Sequence, residues 1–154
     1  MISARLLLAA ALMVTTAADG QTFDGRVVRV VDGDTFDLLT AEKIRWRGRL
    51  AEIDAPEISQ PYGKESRAAL AGIVLRQPVS FRLTALDKRG RMIGRTTVGN
   101  GHSAVDVSAV LVQHSAAWAY LDYLTDQRFL MWERAARQRM LGFWALPVEH
   151  QVAP

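Results

Sequence analysis

The order of strand-like and helical runs leaves this chain few ways to fold. Residues 26–31 and Thr35–Thr40 are rich in β-branched and apolar side chains and flank Asp32-Gly33-Asp34, a turn signature, so they read as a β-hairpin. Residues 43–53 read as a third strand. Asp54-Ala55-Pro56-Glu57 ends it, because Pro56 has no amide hydrogen for a ladder. Over 61–76 the residues Leu70, Ile73 and Val74 recur at helical spacing, and Pro61 suits a first turn. Val79, Phe81 and Leu83 alternate with polar residues as a fourth strand, and 91–98 follow the 87–90 turn as a fifth. Two more helices are expected, at about 104–114 with Ser103 as cap and at about 127–141 with Thr125 or Asp126 as cap and Gly142 as stop. Three strands, a helix, two strands and two helices predict an α+β fold: an OB-type five-stranded β-barrel with three α-helices.

The 154 residues suffice for one domain with its own core. The chain has no cysteine, which excludes disulfides, thiolate metal sites and cysteine nucleophiles. Residues 1–18 hold one charge, Arg5, then an apolar run from Leu6 to Val14 and small residues to Ala18. That is the pattern of a secretory signal peptide, and the run is too short to span a bilayer. The expected layout is therefore a signal peptide at 1–18, a domain at 19–146 and a tail at 147–154. The mature protein is expected to be exported, periplasmic or secreted, monomeric and without stable membrane association. The whole chain has formal charge +3, and 16 of its 19 basic residues are Arg. Such a balance leans toward polyanionic partners, and guanidiniums bind phosphate in a forked geometry. A GC-rich genome would produce the same arginine bias.

Within the third strand Lys43, Arg45, Arg47 and Arg49 alternate with Ile44, Trp46, Gly48 and Leu50, which sets four cations on one face of a regular strand. Six acids, Asp32, Asp34, Asp37, Glu52, Asp54 and Glu57, occur between Asp32 and Glu57 besides Glu42. If the second and third strands pair, Asp34 and Asp54 meet at one end of the sheet. Neighbouring carboxylates repel, so something positive must compensate: a metal ion, or Arg49 and Arg91. His102, His114 and His150 lie far along the chain, and an all-oxygen donor set favours Ca²⁺ or Mg²⁺ over zinc. A solvated acidic loop with surface ion pairs is the competing reading. Asp32 and Asp37 are expected to shape the hairpin. Glu52 is left either pairing with Lys43 or Arg47, or perturbing the site.

The motifs in chain order are VVDGDT at 30–35, Arg49-Leu50 with IDAPE at 53–57, QPYGKE at 60–65, DKRGR at 87–91, VDV at 105–107, WAY at 118–120 and GFW at 142–144. In this order and spacing the chain resembles the staphylococcal (micrococcal) nuclease family over about residues 24–146. The resemblance implies that Asp34, Asp54 and the main-chain carbonyl of Ala55 hold Ca²⁺. It implies that Glu57 orients or deprotonates the attacking water, and that Arg49 and Arg91 clamp the phosphate. It further implies hydrolysis of DNA and RNA phosphodiesters with low sequence specificity and 3′-phosphate products. Tyr120 is a candidate for stacking on a base, against a packing role. Lys88 and Arg89 are candidate phosphate contacts, against plain solvated surface. Three departures stand out: Glu52 where relatives have a small residue, Arg89 where some have an aromatic, and Ser115 where a helix usually ends on Gly, which predicts left-handed strain there. The alternative function is a non-catalytic OB-fold module that binds nucleic acid without cutting it.

Overall fold

The computed structural model describes residues 20–151; the expected signal peptide at 1–18 and the end of the expected tail lie outside the described residues. The chain runs through β1 (Thr22–Val30), β2 (Thr35–Thr40), β3 (Arg45–Leu50), β4 (Ile53–Asp54), α1 (Gly63–Val74), β5 (Pro78–Leu86), β6 (Met92–Val98), β7 (Val105–Asp106), α2 (Val107–Gln113), β8 (Trp118–Ala119) and α3 (Arg128–Gln138). β1 pairs antiparallel with β2 and β5, β2 with β3, and β5 with β6. β6 then runs parallel to β3 from Gly48↔Met92 to Leu50↔Gly94, which closes the sheet. The expected five-stranded barrel with three helices is thus present.

Alternation along the strands fills the barrel. Val27, Phe36, Leu38, Leu50 and Phe81 are buried in it, and the Phe36 and Phe81 rings meet edge to face at 6.1 Å. Leu70 and Val74 of α1 and Val107, Leu111 and Val112 of α2 extend the same core. Trp118, Phe143 and Trp144 make a smaller cluster at one end with Ala136 of α3. Trp118, Phe129 and Trp144 are buried, while Trp132 packs partly buried against the core.

Three boundaries differ from the expectation, each for a physical reason. The third strand stops at Leu50 because Glu52 takes φ 67°; Ile53–Asp54 then leaves the barrel and pairs with Trp118–Ala119. Lys43, with φ 63°, sits in the preceding turn, so only Arg45, Arg47 and Arg49 share the strand face. The second helix begins at Val107, and its cap is Asp106, whose carboxylate accepts from the Ala109 amide at 3.1 Å, not Ser103. Ser115 does take the left-handed conformation, φ 55°.

Two glycines set the approach of the hairpin turn and of the Glu57 turn to α1. A Cβ on Gly33 would lie 1.9 Å from Ser66 Oγ and 2.7 Å from the Ala55 side chain. One on Gly63 would lie 1.9 Å from the Glu57 carbonyl oxygen. No side chain fits at such distances.

Candidate active site

The hairpin turn delivers Asp34 to the barrel end where β3 gives way to β4. Asp32 Oδ1 accepts from the Asp34 amide at 3.0 Å, so Asp32 shapes the turn as expected. The Leu50 amide donates to the Asp34 carbonyl at 2.8 Å, and Thr35 pairs opposite Arg49. Register therefore sets Arg49 beside Asp34, and the break after Leu50 returns Asp54 to the same point.

One nitrogen joins them. Arg49 Nη2 donates to Asp34 Oδ2 at 3.1 Å and to Asp54 Oδ1 at 2.6 Å. Asp34 Oδ2 also accepts from the Ala55 amide at 3.2 Å, and Asp34 Oδ1 from the Thr35 hydroxyl at 2.8 Å. Burial pushes the Asp34 carboxyl up to about 7; Asp32 and Asp54 push the same way, against Arg49 and the Thr35 hydroxyl. Burial also raises Asp54, with Arg49 opposing it. A single guanidinium leaves the two acids under-compensated.

A cleft of about 770 Å³ opens beside Asp54 and Arg49, lined also by Lys88, Arg89, Arg91 and Tyr120 among others. Arg49 and Arg91 thus face one space. Asp87 steadies Arg91: its Oδ2 accepts from Arg91 Nε at 2.6 Å, while its Oδ1 accepts the Arg89 and Arg91 amides at 2.8 Å. The Arg49 guanidinium lies 5.9 Å from the Tyr120 ring centre, and Tyr120 and Tyr123 stand 5.1 Å apart. Glu57 is set apart from this group. It is exposed on the turn before α1, its amide donates to Gln60 Oε1 at 2.6 Å, and it is not among the residues lining the cleft.

Glu52 pairs with neither Lys43 nor Arg47, the partners its sequence context suggested. Its buried carboxylate binds Arg95, the Thr125 hydroxyl, and the amides of Thr125 and Asp126 at 2.8 and 2.9 Å. It ties the β3–β4 turn to β6 and to the segment before α3, and so braces the cleft wall. The partners are 43, 73 and 74 residues away, so no local pattern marked them. Asp37, expected to shape the hairpin, is buried and pairs with Arg45 at 2.6 Å and Arg47 at 2.9 Å. The alternating cations of the third strand were the available signal.

The residues present fit a hard divalent cation. Two carboxylate oxygens converge on one point that already holds a cationic nitrogen, the donors are all oxygen, and their negative charge is under-compensated. Asp34, Asp54 and the Ala55 carbonyl are the groups that would hold it. Among the described residues no cluster of three or more acidic or histidine side chains forms, so water would complete such a shell.

The family model for staphylococcal nuclease homologues matches residues 47–146. The chain belongs to the staphylococcal nuclease family. A micrococcal nuclease of Shigella flexneri is 35% identical over 93% of this chain and 86% of its own length. The protein ParB of Escherichia coli is 38% identical over 97% and 87%. An uncharacterized endonuclease of Escherichia coli O157:H7 is 37% identical over 79% and 76%. Membership in this nuclease family makes nucleic acid the substrate class. The matched span contains Arg49, Asp54, Glu57 and Arg91, while Asp34 precedes it on the hairpin.

Proposed function

We propose that the protein is a Ca²⁺-dependent endonuclease of low sequence specificity that hydrolyses DNA and RNA and leaves 3′-phosphate ends. The observation that carries the reading is the meeting of Asp34, Asp54 and Arg49 on one nitrogen, with Arg91 on the wall of the same cleft. Ca²⁺ held by Asp34, Asp54 and the Ala55 carbonyl would supply charge neutralisation of a non-bridging phosphate oxygen. Arg49, on the wall of the cleft, presents its guanidinium to the phosphate. Arg91 grips it from the DKRGR turn. Both guanidinium contacts tighten as charge gathers on the phosphoryl oxygens, which lowers the barrier rather than merely binding the ground state. Glu57 accepts the proton of the attacking water, the role that the family resemblance gives it. The 5′ oxygen departs in line. Lys88 and Arg89 take flanking phosphates, and Tyr120 stacks a base.

The same reading makes the protein one staphylococcal-nuclease-like domain at 19–146 with a tail at 147–154. It is exported to the periplasm or secreted after loss of residues 1–18, and acts as a monomer. Among the described residues no helix is long and apolar enough to cross a membrane. Sequencing the N-terminus of the exported protein checks the cleavage point.

The deciding experiment is digestion of single- and double-stranded DNA and of RNA with Ca²⁺, then with a chelator, by the native protein and Glu57→Gln. Ca²⁺-dependent cleavage that Glu57→Gln loses by ~10²-fold or more is expected. Cleavage indifferent to the chelator, or full activity in Glu57→Gln, refutes the mechanism. Tight, salt-sensitive binding without turnover would instead identify a nucleic-acid-binding module.

A further inference from the structure

A second basic surface adjoins the cleft. It is a groove of about 690 Å³ on the outer face of the barrel, lined by Arg29, Arg45, Trp46, Arg47, Arg89 and Arg91 with Asp32, Asp37 and other residues. Arg89 and Arg91 line both spaces, so the groove continues the cleft. Five guanidiniums face it against two carboxylates.

Its geometry comes from the sheet. Arg45, Arg47 and Arg49 occupy alternate positions of β3, while Gly48 and Leu50 between and beyond them are buried. Alternate residues of a strand stand about 6.7 Å apart. The phosphates of an unstacked single strand are spaced at roughly twice the ~3.4 Å rise of the stacked form, so the two repeats match. Across the sheet Arg29 of β1 and Arg47 of β3 pair opposite the same residue of β2, Asp37. Asp37 is buried beneath the arginines and accepts from Arg45 Nη2 at 2.6 Å and Arg47 Nε at 2.9 Å, which leaves both guanidinium side chains about half exposed. One carboxylate thus orients two cations without neutralising both. Arg29 and Arg89 have no carboxylate partner for their side chains among the described residues. Trp46 alternates with Arg45 and Arg47, pairs opposite the buried Leu38 and packs against Phe23 at 6.1 Å, so its ring belongs to the other face of the sheet and the arginines form this face of the groove.

We propose that this groove is an extended binding track for single-stranded nucleic acid. It holds the two or three phosphates beyond the scissile linkage on Arg47, Arg45 and Arg29. The substrate strand leaves the cleft past Arg89 and Arg91 and follows β3. This deepens the nuclease reading and rests on it for the identity of the strand, but the track is a binding site and is testable without turnover.

The test uses fluorescein-labelled oligothymidylates of two and twelve nucleotides. Anisotropy titrations are run in chelator over a range of salt, with initial hydrolysis rates in Ca²⁺. The variants are Arg45→Gln, Arg47→Gln and Arg29→Gln. A triple variant, Asp37→Asn with both Arg45→Gln and Arg47→Gln, leaves no buried charge unpaired, and thermal melts verify that each variant folds. Each single arginine variant is expected to weaken 12-mer binding several-fold. The triple variant is expected to weaken it tenfold or more and to flatten the salt slope by about 1.4, two phosphates at ~0.7 each. The dinucleotide fills the cleft at Arg49 and is too short to reach Arg47 and Arg45, and its deficit should be much smaller. Equal deficits for both lengths, or an unchanged 12-mer affinity and salt slope in the folded triple variant, overturn the track. If the native protein cuts neither substrate yet binds the 12-mer through these arginines, the nuclease mechanism fails and the track stands. If it cuts both and the variants change nothing, the track fails and the mechanism stands.

Discussion

Replacing Glu52 by Ala tests whether a single buried carboxylate holds the cleft wall in place. The substitution removes one ionised acceptor from Arg95, from the Thr125 hydroxyl and from the amides of Thr125 and Asp126. Hydrogen bonds to a charged group contribute about 1.5–3 kcal/mol each, and the sum overshoots wherever a donor finds a substitute. Arg95 keeps Asp106 at 3.6 Å and is 30% exposed, and Thr125 is exposed to water. The net loss is therefore about 3 kcal/mol, near the lower end for breaking a buried pair. Backbone geometry separates Gly from Ala. Glu52 sits at φ 67°, where a side chain costs roughly 1–2 kcal/mol that Gly does not incur. Glu52→Gly should thus be more stable than Glu52→Ala by about 1 kcal/mol, although it removes more of the side chain. Urea unfolding measures both, and the Ala variant should melt about 10 °C lower for a domain of this size. Nuclease assays below that temperature should find KM raised, because the segment carrying Tyr123 and Thr125 loses its tie to β6. Stability within 0.5 kcal/mol of native in Glu52→Ala, or Gly less stable than Ala, would refute the reasoning.

Three further outcomes follow from the same geometry. Arg49→Lys keeps a charge but loses the planar guanidinium, whose Nη2 bridges Asp34 and Asp54 while its other donors are available to the phosphate, and should lower kcat by ~10²-fold or more with the far-ultraviolet spectrum unchanged. Gly63→Ala drives a methyl group into the Glu57 carbonyl, so it should cost about 2 kcal/mol or more in urea melts and displace the Glu57 turn, with activity falling alongside. Burial opposes ionisation of Asp37, but the hydrogen bonds from Arg47 and Arg45 prevail and hold its carboxyl below the ordinary 3.8. Its stabilisation is then fully present above pH 3.8 and lost as pH falls through the lower folded-state value. Urea melts from pH 2 to 6 should therefore be less steeply pH-dependent in Asp37→Asn below pH 4 than in the native protein.

Much of this protein is legible in its residues taken a few at a time. The Asp-Gly turn, the alternation of Val79, Phe81 and Leu83 and the stop at Pro56 each act within a few residues, so the barrel strands and the helix between them follow from sequence. The motifs around Asp34, Arg49, Asp54 and Arg91 likewise named the residues that line one cleft or meet on one nitrogen. Glu52 resisted, because its partners are set by closure of β6 onto β3 and by the packing of the segment before α3. Asp37 resisted in part: its neighbours Arg45 and Arg47 were visible as an alternating row, but not that two guanidiniums would cover one buried acid.

Local periodicity and turn chemistry determined which segments became strands and helices, since those preferences act between near neighbours. The register of β2 on β3, a near-neighbour pairing, sets Arg45 and Arg47 on Asp37 and Arg49 beside Asp34. Only the closed barrel decided that Glu52 meets Arg95, because pairing β3 with β6 brings segments more than 40 residues apart into contact, and only the packed fold decided that Asp34, Asp37 and Glu52 are buried.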